Sequence, residues 1–172
     1  MPILLWRRGG IGALQALGLN GISYPTYSQI ANQKTWDLML AAAKREKEGW
    51  IDSKSAEEFS CEDLRMIDRE WLAASGGQFG FSVQLAIYKQ TGNPIRDYNE
   101  QAYARFGDAV GWRVNGKWKT YSDLTWSTNA PSSAPKGHLP YIVDVESVDG
   151  MVGWGWLGWG WYLSSRAAAC EL

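Results

Sequence analysis

The chain has 172 residues, enough to bury a hydrophobic core within a single domain. Lys and Arg number 17 against 18 for Asp and Glu, so no net positive charge favours nucleic acid or an anionic membrane. No run reaches the roughly 18 consecutive apolar residues of a membrane-spanning helix. The distinctive feature is the eleven tryptophans, which provide large flat contact surfaces with a polar indole nitrogen.

Residues 1–30 are predicted to form a variable, glycine-rich lead-in of loosely helical character. Its apolar start, Met1 to Trp6, precedes Arg7 and Arg8, whereas a secretory signal places its charge first. This order predicts a cytoplasmic protein. Cys61 and Cys170 lie far apart and lack metal-binding spacing, so two free thiols in a reducing compartment are expected.

Helical periodicity dominates the middle of the chain. Over residues 27–48, apolar side chains recur on one face and a charged stretch follows, which predicts an amphipathic helix. Ser60, followed three residues later by Asp63, is typical of a helix N-cap, and an apolar stripe then runs to Gly76–Gly77. Two further helices are predicted over residues 81–91 and 96–106.

The last third of the chain contains fewer regular patterns. Asn115–Gly116 between short apolar stretches predicts a tight hairpin. Three prolines mark a long loop over about 128–141. Beyond it, glycines alternate with Trp154, Trp156, Trp159 and Trp161, and a Trp/Gly-rich loop is predicted over about 141–162.

The sequence lacks the patterns of enzymes that use a nucleophile or a metal. His138 is the single histidine of the sequence, and no nucleophile-elbow motif with a serine accompanies it. Zinc spacings, calcium loops, phosphate-binding glycine motifs and dinucleotide fingerprints are also missing. Asp63, Asp68 and Glu70 share one predicted helix, where they are expected to form its solvated face rather than an acid pair. We therefore predict a binding protein, not an enzyme.

Four stretches in fixed order carry a resemblance to a known family. They are ANQKT at 31–35 with Met39-Leu40 and Gly49-Trp50; CEDL at 61–64 with Ile67-Asp68 and Trp71; GQFGFSVQ at 77–84; and VGWR at 110–113 with Trp118, YSDL at 121–124 and GHLP at 137–140. Over residues 31–140 the chain resembles the Genomes-Uncoupled-Four family, the porphyrin-binding regulators of magnesium chelatase in oxygenic phototrophs.

The resemblance implies an all-α fold, a single compact bundle of short helices with a cupped, apolar concave face and long loops. It implies that residues 31–172 form a porphyrin-binding regulatory domain for protoporphyrin IX or Mg-protoporphyrin IX. The implied partner is the large porphyrin-binding subunit of magnesium chelatase, and the implied location is the cyanobacterial cytoplasm or the plastid stroma. Nucleic acid is not an expected partner.

A porphyrin requires an apolar wall and polar groups for its propionates. The wall and polar candidates, together with indoles that could stack on the macrocycle, are Phe79, Phe81, Val110, Trp112, Arg113, Trp126, His138, Leu139, Tyr141, Trp154, Trp156 and Arg166.

Several of these residues have a second interpretation. Phe81 is equally compatible with the core, and Arg113 with a structural ion pair. His138 suits a backbone hydrogen bond better than an axial metal bond.

Two alternatives to chelatase regulation stay open at this stage. The chain has no Lys or Arg between Lys136 and Arg166, where relatives tend to carry basic residues near the porphyrin. A sensory or protein-interaction module that binds a porphyrin or bilin without activating chelatase is the first alternative. The second is an accessory peripheral membrane contact through the Trp-rich segment, because indoles favour the bilayer interface.

Overall fold

A computed structural model describes residues 27–126, 134–142 and 155–172, and at residue 27 and over 155–161 it describes the backbone alone. The described part contains six α-helices, a two-stranded hairpin and one short 3₁₀ helix. The helices are α1 Tyr27–Ala42, α2 Ser53–Glu57, α3 Cys61–Ser75, α4 Phe81–Gln90, α5 Glu100–Val110 and α6 Gly155–Ala169; the strands are β1 Arg113–Val114 and β2 Lys117–Trp118; the 3₁₀ helix is Tyr121–Asp123. The predicted all-α fold is confirmed. The predicted lead-in lies outside the described residues up to residue 26, and α1 begins directly after it.

Side-chain caps and left-handed residues set the helix ends. The Ser60 side chain accepts a hydrogen bond from the Asp63 amide at the start of α3, and Gly76 ends that helix with φ 62°. The predicted cap and stop of this helix are confirmed. Asn99 caps α5, so this helix starts later than the sequence predicted and extends to Val110.

The first helix is shorter than the predicted span of 27–48. Lys44 adopts a left-handed conformation with φ 57°, and the Arg45 amide bonds back to the carbonyl of Leu40. Arg45 then lies 4.6 Å from the Trp50 ring and forms ion pairs with Glu48 and Asp52. These local contacts stabilise a turn where periodicity alone favoured more helix.

The predicted hairpin is confirmed at Asn115–Gly116. Arg113 pairs with Trp118 and Val114 with Lys117 in antiparallel register. Asn115 and Gly116 have φ values of 51° and 77°, the two positive values that a type I′ turn requires.

The two cysteines form a disulfide, so the prediction of free thiols is wrong. Cys61 begins α3 and Cys170 directly follows α6, and folding brings their Cα atoms to 5.2 Å across 109 residues of sequence. Sequence spacing could not indicate this proximity, because it results from the packing of α6 on the body of the domain.

The C-terminal helix also replaces part of the predicted Trp/Gly-rich loop. From Gly155 onward the backbone is helical, and α6 packs against α2, α3 and α4. Glycine disfavours helix by about 1 kcal/mol per residue, and burial against neighbouring helices supplies the opposing stabilisation. Among the described helices, none has the length and apolarity needed to cross a membrane.

Candidate functional site

An apolar cavity lies between the body of the domain and the C-terminal helix. The body contributes aromatic rings from α4 and α5 and from the segment after β2, and α6 contributes Leu163, Ser164 and Ala167. We call this site the aromatic pocket; its lining residues are Phe81, Gln84, Tyr103, Phe106, Trp112, Pro140, Tyr141, Ile142, Leu163, Ser164 and Ala167. Its volume is about 30 Å³.

Aromatic rings of the pocket pack against one another in edge-to-face contacts. Trp112 lies 5.4 Å from Phe106 at an interplanar angle of 86°, and 5.0 Å from Tyr141 at 84°. Such pairs contribute about 0.5–1.5 kcal/mol each beyond the area they bury. The wall is therefore a mutually supported aromatic surface.

Electrostatically the pocket is neutral. Burial raises the pKa of Tyr103 and of Tyr141 well above the usual range of a phenol, so both stay protonated at physiological pH. Gln84 is the most polar side chain of the lining, and its amide donates to the carbonyls of Gly137 and Pro140 at 3.0 and 2.7 Å. An apolar ligand would meet little competing charge here.

The segment 134–142 forms one side of the pocket and is fixed by buried polar side chains. Asn32 on α1 donates to the carbonyl of Tyr141 at 2.8 Å and accepts from its amide at 2.7 Å. The Trp112 indole donates to the carbonyl of His138 at 2.7 Å. These long-range bonds hold Tyr141 in place at the pocket wall.

His138 supports this segment from inside the core. It is fully buried; its Nδ1 lies 2.7 Å from the Val110 carbonyl, and its Nε2 lies 3.2 Å from the Thr125 amide. A carbonyl accepts and an amide donates, so the ring is the neutral Nδ1–H tautomer. Burial lowers its pKa below 6.5, with the Val110 bond acting in the opposite direction. Both ring nitrogens are thus occupied by the protein backbone.

Comparison with known proteins places this architecture in a family. A family model described as GUN4-like matches residues 24–154. The chain belongs to the GUN4-like family.

Two solved GUN4 structures share its fold. The ligand-free GUN4 of Arabidopsis thaliana has a TM-score of 0.58 and 21% identity, covering 82% of this chain and 83% of the other. GUN4 of Chlamydomonas reinhardtii has the same TM-score, identity and coverage of this chain, and 78% of its own chain is covered.

Named relatives at the sequence level are longer proteins. The Ycf53-like protein of Synechocystis is 27% identical, covering 78% of this chain and 51% of the relative. The chloroplastic tetrapyrrole-binding protein of Arabidopsis thaliana is 29% identical, covering 64% of this chain and 42% of the relative. The chain thus spans about half the length, or less, of the curated relatives it matches.

In this GUN4-like chain the predicted wall residues divide into two groups. Phe81, Trp112 and Tyr141 line the aromatic pocket. Phe79, Val110 and Leu139 are buried in the core and do not belong to the pocket lining. In the segment 134–142, His138 and Leu139 lie in the core, whereas Pro140, Tyr141 and Ile142 line the pocket. Hydrophobicity cannot predict this division, because both environments are apolar.

The predicted polar and indole candidates mostly have partners within the protein. Arg113 makes two hydrogen bonds to the Asp108 carboxylate, at 3.0 and 2.9 Å, so its ion-pair interpretation describes the observed arrangement. Arg166 donates through Nε to the Phe59 carbonyl at 2.7 Å. The Trp126 indole donates to the Tyr121 carbonyl at 3.0 Å. Trp154 lies outside the described residues, and for Trp156 only the backbone is described, which belongs to α6.

Sequence reasoning missed the α5 and α6 contributions to the pocket. Tyr103 and Phe106 lie three residues apart on α5 and face the same side, a spacing that was visible in the sequence. Leu163 and Ala167 are four apart on α6 and were not considered, because the surrounding Trp/Gly pattern favoured a loop.

Proposed function

We propose that this protein binds a tetrapyrrole on the aromatic pocket and acts by binding rather than by catalysis. The observation that carries the proposal is the neutral aromatic wall beneath α6 in a chain of the GUN4-like family. A porphyrin macrocycle is flat and apolar, and aromatic side chains bind such a surface by stacking and by burial of apolar area. The name of the Arabidopsis relative, a tetrapyrrole-binding protein, supports the same ligand class.

The ligands we propose are protoporphyrin IX and Mg-protoporphyrin IX, and the process is chlorophyll synthesis. In this account the protein delivers porphyrin to the large porphyrin-binding subunit of magnesium chelatase, or stimulates it. Relatives in a cyanobacterium and in a chloroplast support a cyanobacterial or plastid location.

Apolar burial, rather than ion pairing, is expected to supply most of the affinity. Arg113 already has a bidentate carboxylate partner, and Arg166 already donates to a backbone carbonyl. We therefore expect Arg113→Ala to weaken porphyrin binding only slightly. A change in the wall itself is expected to have a much larger effect.

The test is a titration with deuteroporphyrin and its magnesium form, followed by porphyrin absorbance and tryptophan fluorescence. Leu163→Glu places a carboxylate in the pocket wall, so the affinity is expected to fall about tenfold or more. Ala169→Glu is the matched control, since it adds the same charge to the same helix at an exposed position. Binding that is absent from the unmodified chain both with and without dithiothreitol, or equally strong in both variants, would contradict the proposal.

The sensory alternative has one specific observation in its favour. No Lys or Arg occurs between Lys136 and Arg166 of the sequence. If basic residues there are needed to present porphyrin to chelatase, this chain would bind a porphyrin or bilin without raising the chelatase rate. A chelatase assay with and without the protein, at a porphyrin concentration that saturates binding, distinguishes the two functions.

A further inference from the structure

The aromatic pocket has suitable chemistry for a macrocycle but insufficient volume. Its cavity of about 30 Å³ holds roughly two water molecules. Pockets for ligands of this size class measure about 300–1,000 Å³. Because α6 forms one side of the cavity through Leu163, Ser164 and Ala167, movement of this helix is the direct way to enlarge it.

A covalent bond fastens the end of that helix to the body. Cys170, directly after α6, is joined to Cys61 at the start of α3. Hydrogen bonds also hold this end of the chain to the body. Arg65 donates to the Cys170 carbonyl, Arg166 donates to the Phe59 carbonyl at 2.7 Å, and Ser165 donates to the Ile95 carbonyl. A hydrogen bond contributes about 1 kcal/mol net and can open by thermal fluctuation. The disulfide, in contrast, keeps Cys170 next to Cys61 until the S–S bond is reduced.

The disulfide also closes a very long loop. It spans 109 residues, and the entropy opposing closure grows with loop length. Once the bond is broken, only non-covalent contacts keep α6 in place.

We propose that the Cys61–Cys170 disulfide is a redox latch that keeps α6 closed over the aromatic pocket. A dithiol reductant supplies two electrons and two protons: the S–S bond breaks, two cysteine thiols form, and the dithiol becomes a disulfide. The end of α6 is then released, and the aromatic wall becomes accessible to a flat ligand. The identity of that ligand rests on the proposed tetrapyrrole function, whereas the release of α6 does not.

The release of α6 is tested without any ligand, by hydrogen exchange read by mass spectrometry. Oxidised protein, protein reduced with dithiothreitol and the double variant Cys61→Ser/Cys170→Ser are compared. The expected result is faster exchange over residues 162–172 in the reduced protein and in the double variant, with α3–α5 still protected. Unchanged protection of 162–172, or loss of protection throughout the domain, would overturn the latch.

The consequence for binding is tested by deuteroporphyrin titration of the same three samples. Opening is expected to lower the apparent Kd by about tenfold or more, since a closed majority state reduces apparent affinity by the open fraction. The double variant should bind like the reduced protein and should not respond to dithiothreitol. Equal affinity of oxidised and reduced protein would contradict the latch and leave the proposed function standing. Absence of binding in all samples, with α6 released, would contradict the proposed function alone.

Discussion

Replacement of His138 tests how the pocket wall is supported. The ring bonds the Val110 carbonyl through Nδ1 and the Thr125 amide through Nε2, and the side chain is fully buried. His138→Ala leaves both backbone groups without their partner and creates a cavity, so we expect a loss of about 3–5 kcal/mol in the free energy of unfolding. His138→Asn and His138→Gln, which can each replace one of the two bonds, are expected to lose about half as much.

The same residue predicts a pH dependence of stability. Because burial lowers the folded pKa of His138 below 6.5, the unfolded chain binds more protons at this site just below that pH. The contribution of His138 to the free energy of unfolding is therefore complete above pH 6.5. Below that pH this contribution falls by up to about 1.4 kcal/mol per pH unit, until the folded pKa is reached. His138→Asn lacks this proton site and should show a shallower decrease.

Urea unfolding monitored by tryptophan fluorescence at several pH values between 5 and 8 measures both effects. Lys136→Ala, an exposed neighbour, serves as a control with an expected change below about 0.5 kcal/mol. A loss below about 1 kcal/mol in His138→Ala, or parallel pH profiles of wild type and His138→Asn, would show that His138 does not support the pocket wall through these two bonds.

Three further substitutions test other contacts by the same unfolding assay. Asn32→Ala removes both hydrogen bonds to the Tyr141 backbone and should reduce the free energy of unfolding by about 2–4 kcal/mol. A reduction below about 1 kcal/mol would show that water replaces these bonds. Gly137→Ala introduces a Cβ at a residue with φ 76°, and this atom would lie 2.7 Å from the Ile87 Cδ1. We expect the free energy of unfolding to fall by about 1–3 kcal/mol. An unchanged free energy of unfolding would contradict the observed backbone conformation at Gly137. Ser60→Ala should lose about 1 kcal/mol, whereas Ser60→Asp, which restores the cap, should not.

Local signals predicted much of the fold. The Ser60 cap, the Gly76 stop and the Asn115–Gly116 turn each depend on a few neighbouring residues, so the sequence shows them directly. The five-residue helix α2 is too short to show periodicity, although its N-cap Asp52 is a visible signal.

Contacts between distant segments could not be predicted in the same way. The Cys61–Cys170 bond joins residues 109 apart, and the Asn32–Tyr141 bridge also spans 109. Neither leaves a local pattern. The helix α6 was missed because glycine lowers helix propensity, whereas its stability arises from packing on α2 and α4.

The candidate site was predictable in its chemistry more than in its geometry. The family resemblance implied a porphyrin and an apolar wall to receive it, and Phe81, Trp112 and Tyr141 do line the pocket. The division of the other aromatic and aliphatic candidates between core and pocket depends on tertiary packing. So does the pairing of Arg113 with Asp108.

Methyl NMR shows whether a tetrapyrrole stacks on the aromatic pocket beneath α6. A porphyrin ring current shifts the resonances of nearby methyl groups, and Ile142, Leu163 and Ala167 supply methyl groups in the pocket lining. Addition of deuteroporphyrin to the reduced protein is predicted to shift these methyl signals strongly and to leave the methyl signals of Met66, exposed on α3, unchanged. Saturable binding that leaves the three pocket residues unshifted would contradict the account.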